Sequence, residues 1–202
     1  MAAWVLEHDA VFGDTIPRGS WVAGDILYAF VAADTGTVQV PSGWTATPAS
    51  FADAGIFFRQ LTPADDAVTS WTFTAAGGSV FLIRYVVIRG GAAVDAYTGV
   101  VNASGATHTV SLTTTSDDSL LVVLGASNAG GTWSLPGGWT SVYNNGEVIA
   151  TRVQPTAGAT GNVTFTASGS ARAWLAMIAV SPPAASVTIP RIMHHYRQMR
   201  TR

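Results

Sequence analysis

The chain of 202 residues is 48% hydrophobic and 11% charged, which favours a well-buried globular fold and argues against disorder. It contains no cysteine, which excludes disulfides, thiolate metal sites and cysteine nucleophiles. Lysine is also absent, and four of the ten arginines lie in the last twelve residues, so that residues 1–190 carry a net charge of −6 and the remainder carries +4.

The first residues, MAAWVLEHDA, have acids where a signal peptide needs a positive region before an apolar one. We therefore expect no secretion signal. The longest apolar runs, such as 81–88, are far shorter than the roughly 18 residues of a membrane helix, so no membrane partner is expected.

Farther along, the chain repeats itself. GDILYAFVAADTGTVQVPSGWT at 24–45 is matched by DDSLLVVLGASNAGGTWSLPGGWT at 117–140, and SWTFTAAGGSVFLIRYVVI at 70–88 by NVTFTASGSARAWLAMIAV at 162–180. The offset is 93 at Asp25/Asp118, 95 at Trp44/Trp139 and 92 at Phe73/Phe165. Such near-constant offsets indicate an internal duplication, with halves at about 15–95 and 107–182.

Each half predicts the same four elements in the same order. An apolar strand covered on both faces comes first, followed by a turn with proline at its second position and the GWT strand, an alternating strand, and a closing apolar strand. In the first half these lie at 26–33, 41–45, 71–75 and 81–88, and in the second half at 120–126, 136–140, 163–167 and 174–180.

Two such halves provide about eight core strands, which predicts an all-β, antiparallel, jelly-roll-like β-sandwich over residues 1–185. A tandem of two small sandwiches is the alternative. The stretch at 90–118 continues as turn and strand and offers no obvious linker, so a single domain is favoured.

The repeated tryptophans, Trp44 and Trp139, have two interpretations. Burying an indole removes about 150 to 250 Å² from water, which stabilises a fold by roughly 4 to 6 kcal/mol, so both are expected to be core anchors. The functional alternative is a pair of exposed platforms for sugar rings.

Catalytic and metal-binding patterns are weak. The sequence has two glutamates and four histidines, and no G-x-S-x-G elbow. The paired acids Asp65/Asp66 and Asp117/Asp118 sit beside turns, where aspartate commonly bonds the backbone, and the adjacent His194 and His195 cannot easily share one ion. We expect a protein that is not an enzyme, with no catalytic residue, no metal and no cofactor.

The C-terminal segment 186–202 changes character and is predicted to be a docking arm. After Pro190, apolar residues recur on one side of a short helix. This arm docks either onto its own sandwich or onto a neighbouring chain, and the acidic body argues against nucleic acid as its partner. The docking residues are expected to be Ile192, Met193, Tyr196, Arg197, Met199 and Arg200.

The succession GDILYAFVA, PSGWT, SWTFTAA, VVIRGGAAVDAY, DDSLLVVLGA, PGGWT and VTFTASGSARAWLAMIAV resembles a β-sandwich family of tailed bacteriophages, whose members are minor tail or virion decoration proteins. The resemblance covers about residues 15–182. Where related sequences often have Tyr-Arg-Gly-Val-Asp, this chain has IRGG at 88–91 and a delayed VD at 94–95.

The resemblance implies a non-enzymatic structural protein of the virion, assembled in the bacterial cytoplasm, on the tail tip or the capsid surface. Its partners would be other virion proteins and further copies of itself, for example in a trimer. The second hypothesis is a carbohydrate-binding adhesin for bacterial surface glycans, whose contacts would be aromatic residues outside the repeated strands: Trp133, Tyr143, Trp21, Tyr97 and Trp4.

Overall fold

The computed structural model describes residues 4–183, nearly all of them in antiparallel strands and short turns. The first half contains β1 (Val5–Val11), β2 (Thr15–Pro17), β3 (Ile26–Ala33), β4 (Thr37–Gln39), β5 (Thr45–Phe51), β6 (Ala54–Gln60), a 3-10 helix (Pro63–Ala67), β7 (Ser70–Thr72), β8 (Thr74–Ala76) and β9 (Val80–Arg89). The second half contains β10 (Ala93–Asn102), β11 (Thr107–Val110), β12 (Thr113–Thr114), β13 (Ser119–Ser127), β14 (Trp133–Ser134), β15 (Thr140–Asn145), β16 (Glu147–Gln154), β17 (Gly158–Ala159), β18 (Val163–Ala167) and β19 (Ala173–Ser181). The predicted all-β class is confirmed, and the arm at 186–202 lies outside the described residues.

The two halves build two five-stranded sheets with the same strand order. The first sheet runs β1-β9-β3-β6-β5 and the second runs β10-β19-β13-β16-β15. The matching order bears out the internal duplication and extends it to β1 and β10, which the sequence match did not include. Each half supplies one complete sheet.

The sheets pack face to face around a central core to which both halves contribute. Tyr28 and Phe30 of β3 point into this core from one side, and Val122 and Leu124 of β13 from the other. The intervening residues of β3 and β13 are equally buried, because the small outer strands cover the opposite face of each sheet. This double coverage explains why both strands are continuously apolar.

The repeated tryptophans are interior anchors, as predicted. Trp44 is 6% exposed and Trp139 is 9% exposed. Trp44 meets Phe73 edge-to-face with ring centroids 4.9 Å apart, and Trp139 meets Phe165 in the same way at 5.2 Å. The GWT stretch is therefore one structural part used twice, beneath the outer face of each sheet.

The turn before each tryptophan differs from the prediction in one detail. The Trp44 amide donates to the Pro41 carbonyl at 3.1 Å, which makes proline the first residue of the turn and not the second. Gly43 then occupies the third position with φ of +78°, as a type II turn requires, and Gly138 has φ of +81° in the second copy.

The strand register also corrects one pair of the sequence match. Ile26 pairs with Ile88 of β9, and Leu120 pairs with Val180 of β19, so Asp25 corresponds to Ser119 and not to Asp118. A shift of one residue matters because it would exchange the two faces of the strand.

Close approach and charge add to the apolar packing between the sheets. A Cβ placed at Gly99 of β10 would lie 2.7 Å from the Ala49 nitrogen of β5, so only glycine fits there. Two ion pairs also cross from one half to the other: Arg84 with Glu147 at 3.3 Å, and Arg172 with Asp53 at 3.1 Å.

Replacing Trp44 with alanine should lower the free energy of unfolding by about 3 to 5 kcal/mol. The substitution leaves a cavity between the first sheet and its outer strands that the surrounding side chains cannot fill. Trp139→Ala should have a similar effect in the second half. Chemical denaturation followed by circular dichroism measures both. Phe12, which is almost fully exposed, provides the control, and a Phe12→Ala loss as large as that of Trp44→Ala would refute the anchor role.

Candidate functional site

Two of the aromatic residues proposed to contact glycans are interior. Trp133 is 3% exposed, and its indole nitrogen donates to the Gly146 carbonyl at 3.1 Å. Trp21 is 5% exposed and stacks on Trp71 with centroids 5.7 Å apart. Neither ring presents a free face, so neither is a surface platform for a sugar.

The other aromatic candidates lie at the edges of the sheets. Tyr143 is half-buried, and its hydroxyl accepts a hydrogen bond at 3.0 Å from Arg84, whose guanidinium also lies over the ring. Tyr97 is 45% exposed with its ring 5.0 Å from that of Phe58, and Trp4 packs partly buried against the central core. The structure does not bring these residues together into one site.

The paired aspartates hold turns, as their positions predicted. Asp65 accepts from the Thr62 amide at 2.8 Å at the start of the 3-10 helix, and Asp66 pairs with Arg18 at 2.9 Å. Asp117 accepts from the Ala157 amide at 2.7 Å. Among residues 4–183, no group of three histidine, cysteine or acidic side chains is placed to hold a metal ion, and no helix is long and apolar enough to cross a membrane. The docking residues of the arm, and His194 and His195, lie outside this range.

A cleft of about 230 Å³ opens on the outer flank of the first sheet, beside its edge strand β1. Glu7 and Asp9 lie opposite Val87 and Tyr85 in the β1–β9 register, and alternation along the strand turns all four toward the same face. The loop through Gly19 and Trp21 closes the other side, and the His8 segment completes the lining.

The floor of this cleft carries two polar groups that find no partner in the described part of the chain. Tyr85 is 6% exposed and Trp21 is 5% exposed, and the Tyr85 hydroxyl and the Trp21 indole nitrogen are solvent-accessible atoms without a protein hydrogen-bond partner among the described residues. Burial raises the pKa of Tyr85 above its ordinary value of 10.0, and the nearby charges of Asp9 and Glu7 raise it further. The phenol is therefore protonated at neutral pH and can donate.

Two arginines fix the loop that closes the cleft. Arg89 bridges Glu7 at 3.2 Å and Asp25 at 3.1 Å, and donates to the Ser20 carbonyl at 3.0 Å. Arg18 donates to the Trp21 carbonyl at 2.9 Å. The walls are thus held in place before any ligand arrives. Sequence reasoning named only Trp21 here, although the Glu-x-Asp alternation of β1 predicts two carboxylates on one face.

No protein-family model matches the chain, and no curated protein matches it. A structural comparison finds a conserved protein of unknown function from Pseudomonas aeruginosa PAO1, which is 14% identical over 88% of this chain and 80% of that chain, with a TM-score of 0.33. A TM-score of this size supports no statement about the fold or function of this chain.

A buried histidine lies in the second half, remote from the cleft in sequence. His108 is fully buried, with its ring 5.3 Å from that of Trp133. The Asn102 amide nitrogen lies 2.9 Å from Nδ1, so Nδ1 accepts and the proton sits on Nε2, which has no partner within residues 4–183. Burial lowers the pKa of His108 below its ordinary value of 6.5.

His108 should make the protein less stable in mild acid. Because the unfolded chain takes up this proton at a higher pH than the folded chain, the stability contribution is complete above pH 6.5 and is lost as the pH falls toward the folded pKa. Denaturation of wild type and His108→Leu on both sides of pH 6.5 measures the effect. We expect the free energy of unfolding to fall more steeply with decreasing pH in wild type, and equal slopes would contradict this role.

Proposed function

We propose that the protein is a non-enzymatic structural component of a phage particle, a minor tail, tail-tip or decoration protein, whose sandwich is displayed and whose C-terminal arm attaches it. The sequence resemblance described above motivates the proposal. One geometric observation carries it: the described chain enters, crosses between its halves and leaves at the same end of the sandwich.

Three contacts define this end of the sandwich. The Ala92 amide of the crossover donates to the Ser181 carbonyl at the end of β19, at 2.9 Å. A Cβ at Gly91 would lie 3.2 Å from the Trp4 ring and 3.6 Å from the same carbonyl. The described chain therefore leaves at one end, while the opposite end of residues 4–183 presents turns, including those at 34–36, 52–53, 128–131 and 168–170.

The distribution of arginines also supports attachment through the arm and display of the sandwich. Five of the six body arginines already pair with carboxylates inside the sandwich, and the sixth, Arg152, bonds Gln154. The arm adds four further arginines to a chain whose body has a net charge of −6. An acidic surface, either on another virion protein or on a second copy of this chain, is the complementary partner.

Changing all four arm arginines to glutamine in the full-length chain should reduce its incorporation into particles by about fourfold or more, because each exposed ion pair contributes roughly 0.2 to 1 kcal/mol. Quantitative mass spectrometry of purified particles measures the copy number. Arg152→Gln is the control, since it makes the same substitution at the one body arginine that pairs with no carboxylate within residues 4–183. Normal incorporation of the arm variant would reject attachment through these charges, and absence of the wild-type chain from particles would reject the virion role.

Binding of bacterial surface glycans is the second candidate function, and it can coexist with the first in one particle protein. The cleft on the flank of the first sheet favours it, because its lining combines carboxylates, a phenol and an indole. These groups are the hydrogen-bonding and apolar partners that a sugar requires.

A further inference from the structure

We propose that the cleft formed by Glu7, Asp9, Trp21, Tyr85 and Val87 binds a single saccharide unit of a surface glycan. The inference rests on the second candidate function and assigns it a site. It replaces the exposed aromatic contacts of the second hypothesis with a recess that recognises hydroxyl groups.

The unpaired groups on the floor are the first argument. The Trp21 indole nitrogen can only donate, the Tyr85 hydroxyl can donate and accept, and the Asp9 carboxylate can only accept. A ligand that satisfies all three must both accept and donate at close spacing. Sugar hydroxyls do this, whereas a purely cationic ligand leaves the indole donor unpaired. The Tyr85 hydroxyl and the Trp21 indole nitrogen belong to largely buried side chains, open onto the cleft and have no protein partner in the described chain, so both are free to bond a polyhydroxyl ligand.

The second argument is size and shape. A volume of about 230 Å³ lies below the roughly 300 to 1,000 Å³ of sites for drug-sized molecules, so the cleft takes one ring and not a chain of them. The edges of the Trp21 and Tyr85 rings provide the apolar contacts for the C–H groups of that ring. The remaining units of a glycan would extend outward past β1.

The duplication provides an internal comparison. The offset of 92 between β9 and β19 places Met177 and Ala179 at the positions of Tyr85 and Val87. Their partners on β10 are Thr98 and Ala96, where β1 has Asp9 and Glu7. The same sheet thus forms without carboxylates or a phenol at these positions. The sheet does not require a phenol and a carboxylate at the positions of Tyr85 and Asp9, which leaves both free for ligand binding, while Glu7 also pairs with Arg89.

The test is binding of the full-length protein to a panel of free monosaccharides, namely glucose, galactose, mannose, rhamnose and N-acetylglucosamine, followed by NMR of the indole N–H signals. Arginine and tetramethylammonium form the cationic arm of the panel. We expect at least one sugar to shift the Trp21 indole signal, which a Trp21→Phe spectrum assigns, and the cations to leave it in place.

Tyr85→Phe and Asp9→Asn should each weaken sugar binding by roughly 3- to 10-fold, the range for one lost hydrogen bond. Tyr85→Phe should keep the fold because its hydroxyl has no partner there. Tyr97→Phe and Asp118→Asn, which make the same chemical changes in the other half, should leave affinity unchanged.

The outcomes separate this site from the function on which it rests. Sugar binding that is lost in Tyr97→Phe but retained in the cleft variants keeps a glycan function and overturns this site. Binding of the cations alone overturns the saccharide assignment. Failure of every sugar to bind, with the fold intact by circular dichroism, overturns both the site and the glycan function, and leaves the particle-incorporation test of the structural role unaffected.

Discussion

The apolar face that each five-stranded sheet turns toward the other is the constraint on which the rest of this structure depends. Tyr28 and Phe30 on one sheet and Val122 and Trp174 on the other are buried only because the opposing sheet covers them. At about 25 cal/mol per Å² of apolar area, exposing such a face costs far more than any single hydrogen bond at the surface contributes. Each half therefore needs the sheet of the other half to bury its own apolar face.

Duplication also shows which features the fold needs and which it permits to vary. Both halves keep the buried tryptophan, its phenylalanine partner and the glycine with positive φ. Arg59 reaches the GWT turn of the first half and donates to the Ser42 carbonyl at 2.8 Å, whereas its counterpart Arg152 turns to Gln154 instead. The common part is the scaffold, and the differences lie in loops and edges, where binding residues generally occur.

The sequence predicted the strands whose pattern depends on burial alone. The continuous apolar runs of β3 and β13 and the inward tryptophans follow directly from hydrophobicity and turn chemistry. The edge strands β1 and β10 escaped the repeat match, because only one of their faces is packed and their residues differ between the halves.

The sequence predicted less of the candidate site than of the strands. Trp133 and Trp21 are candidate glycan contacts of the second hypothesis because they lie outside the repeated strands, but the outer layers of each sheet bury them. The cleft depends on residues from β1, β9 and the loop at 19–21, which are distant in the chain and meet only through sheet pairing. A single sequence carries no direct signal for such a long-range arrangement.

The proposed structural role joins the charge asymmetry with the course of the described chain. Residues 4–183 enter, cross between the halves and leave at one end of the sandwich, and residues 191–202 carry four arginines after a body with a net charge of −6. Under the proposal these arginines attach the protein, the sandwich is displayed, and the cleft of the first half recognises a saccharide.

Native-state hydrogen exchange of β3 and β13 amides tests the central claim, that the shared core makes the two halves one cooperative unit. The account predicts that the slowest amides of both strands exchange with the same free energy, equal to that of global unfolding. A distinctly lower exchange free energy for one strand, with the other unchanged, would mean that the halves unfold independently and that the central core does not hold the molecule together.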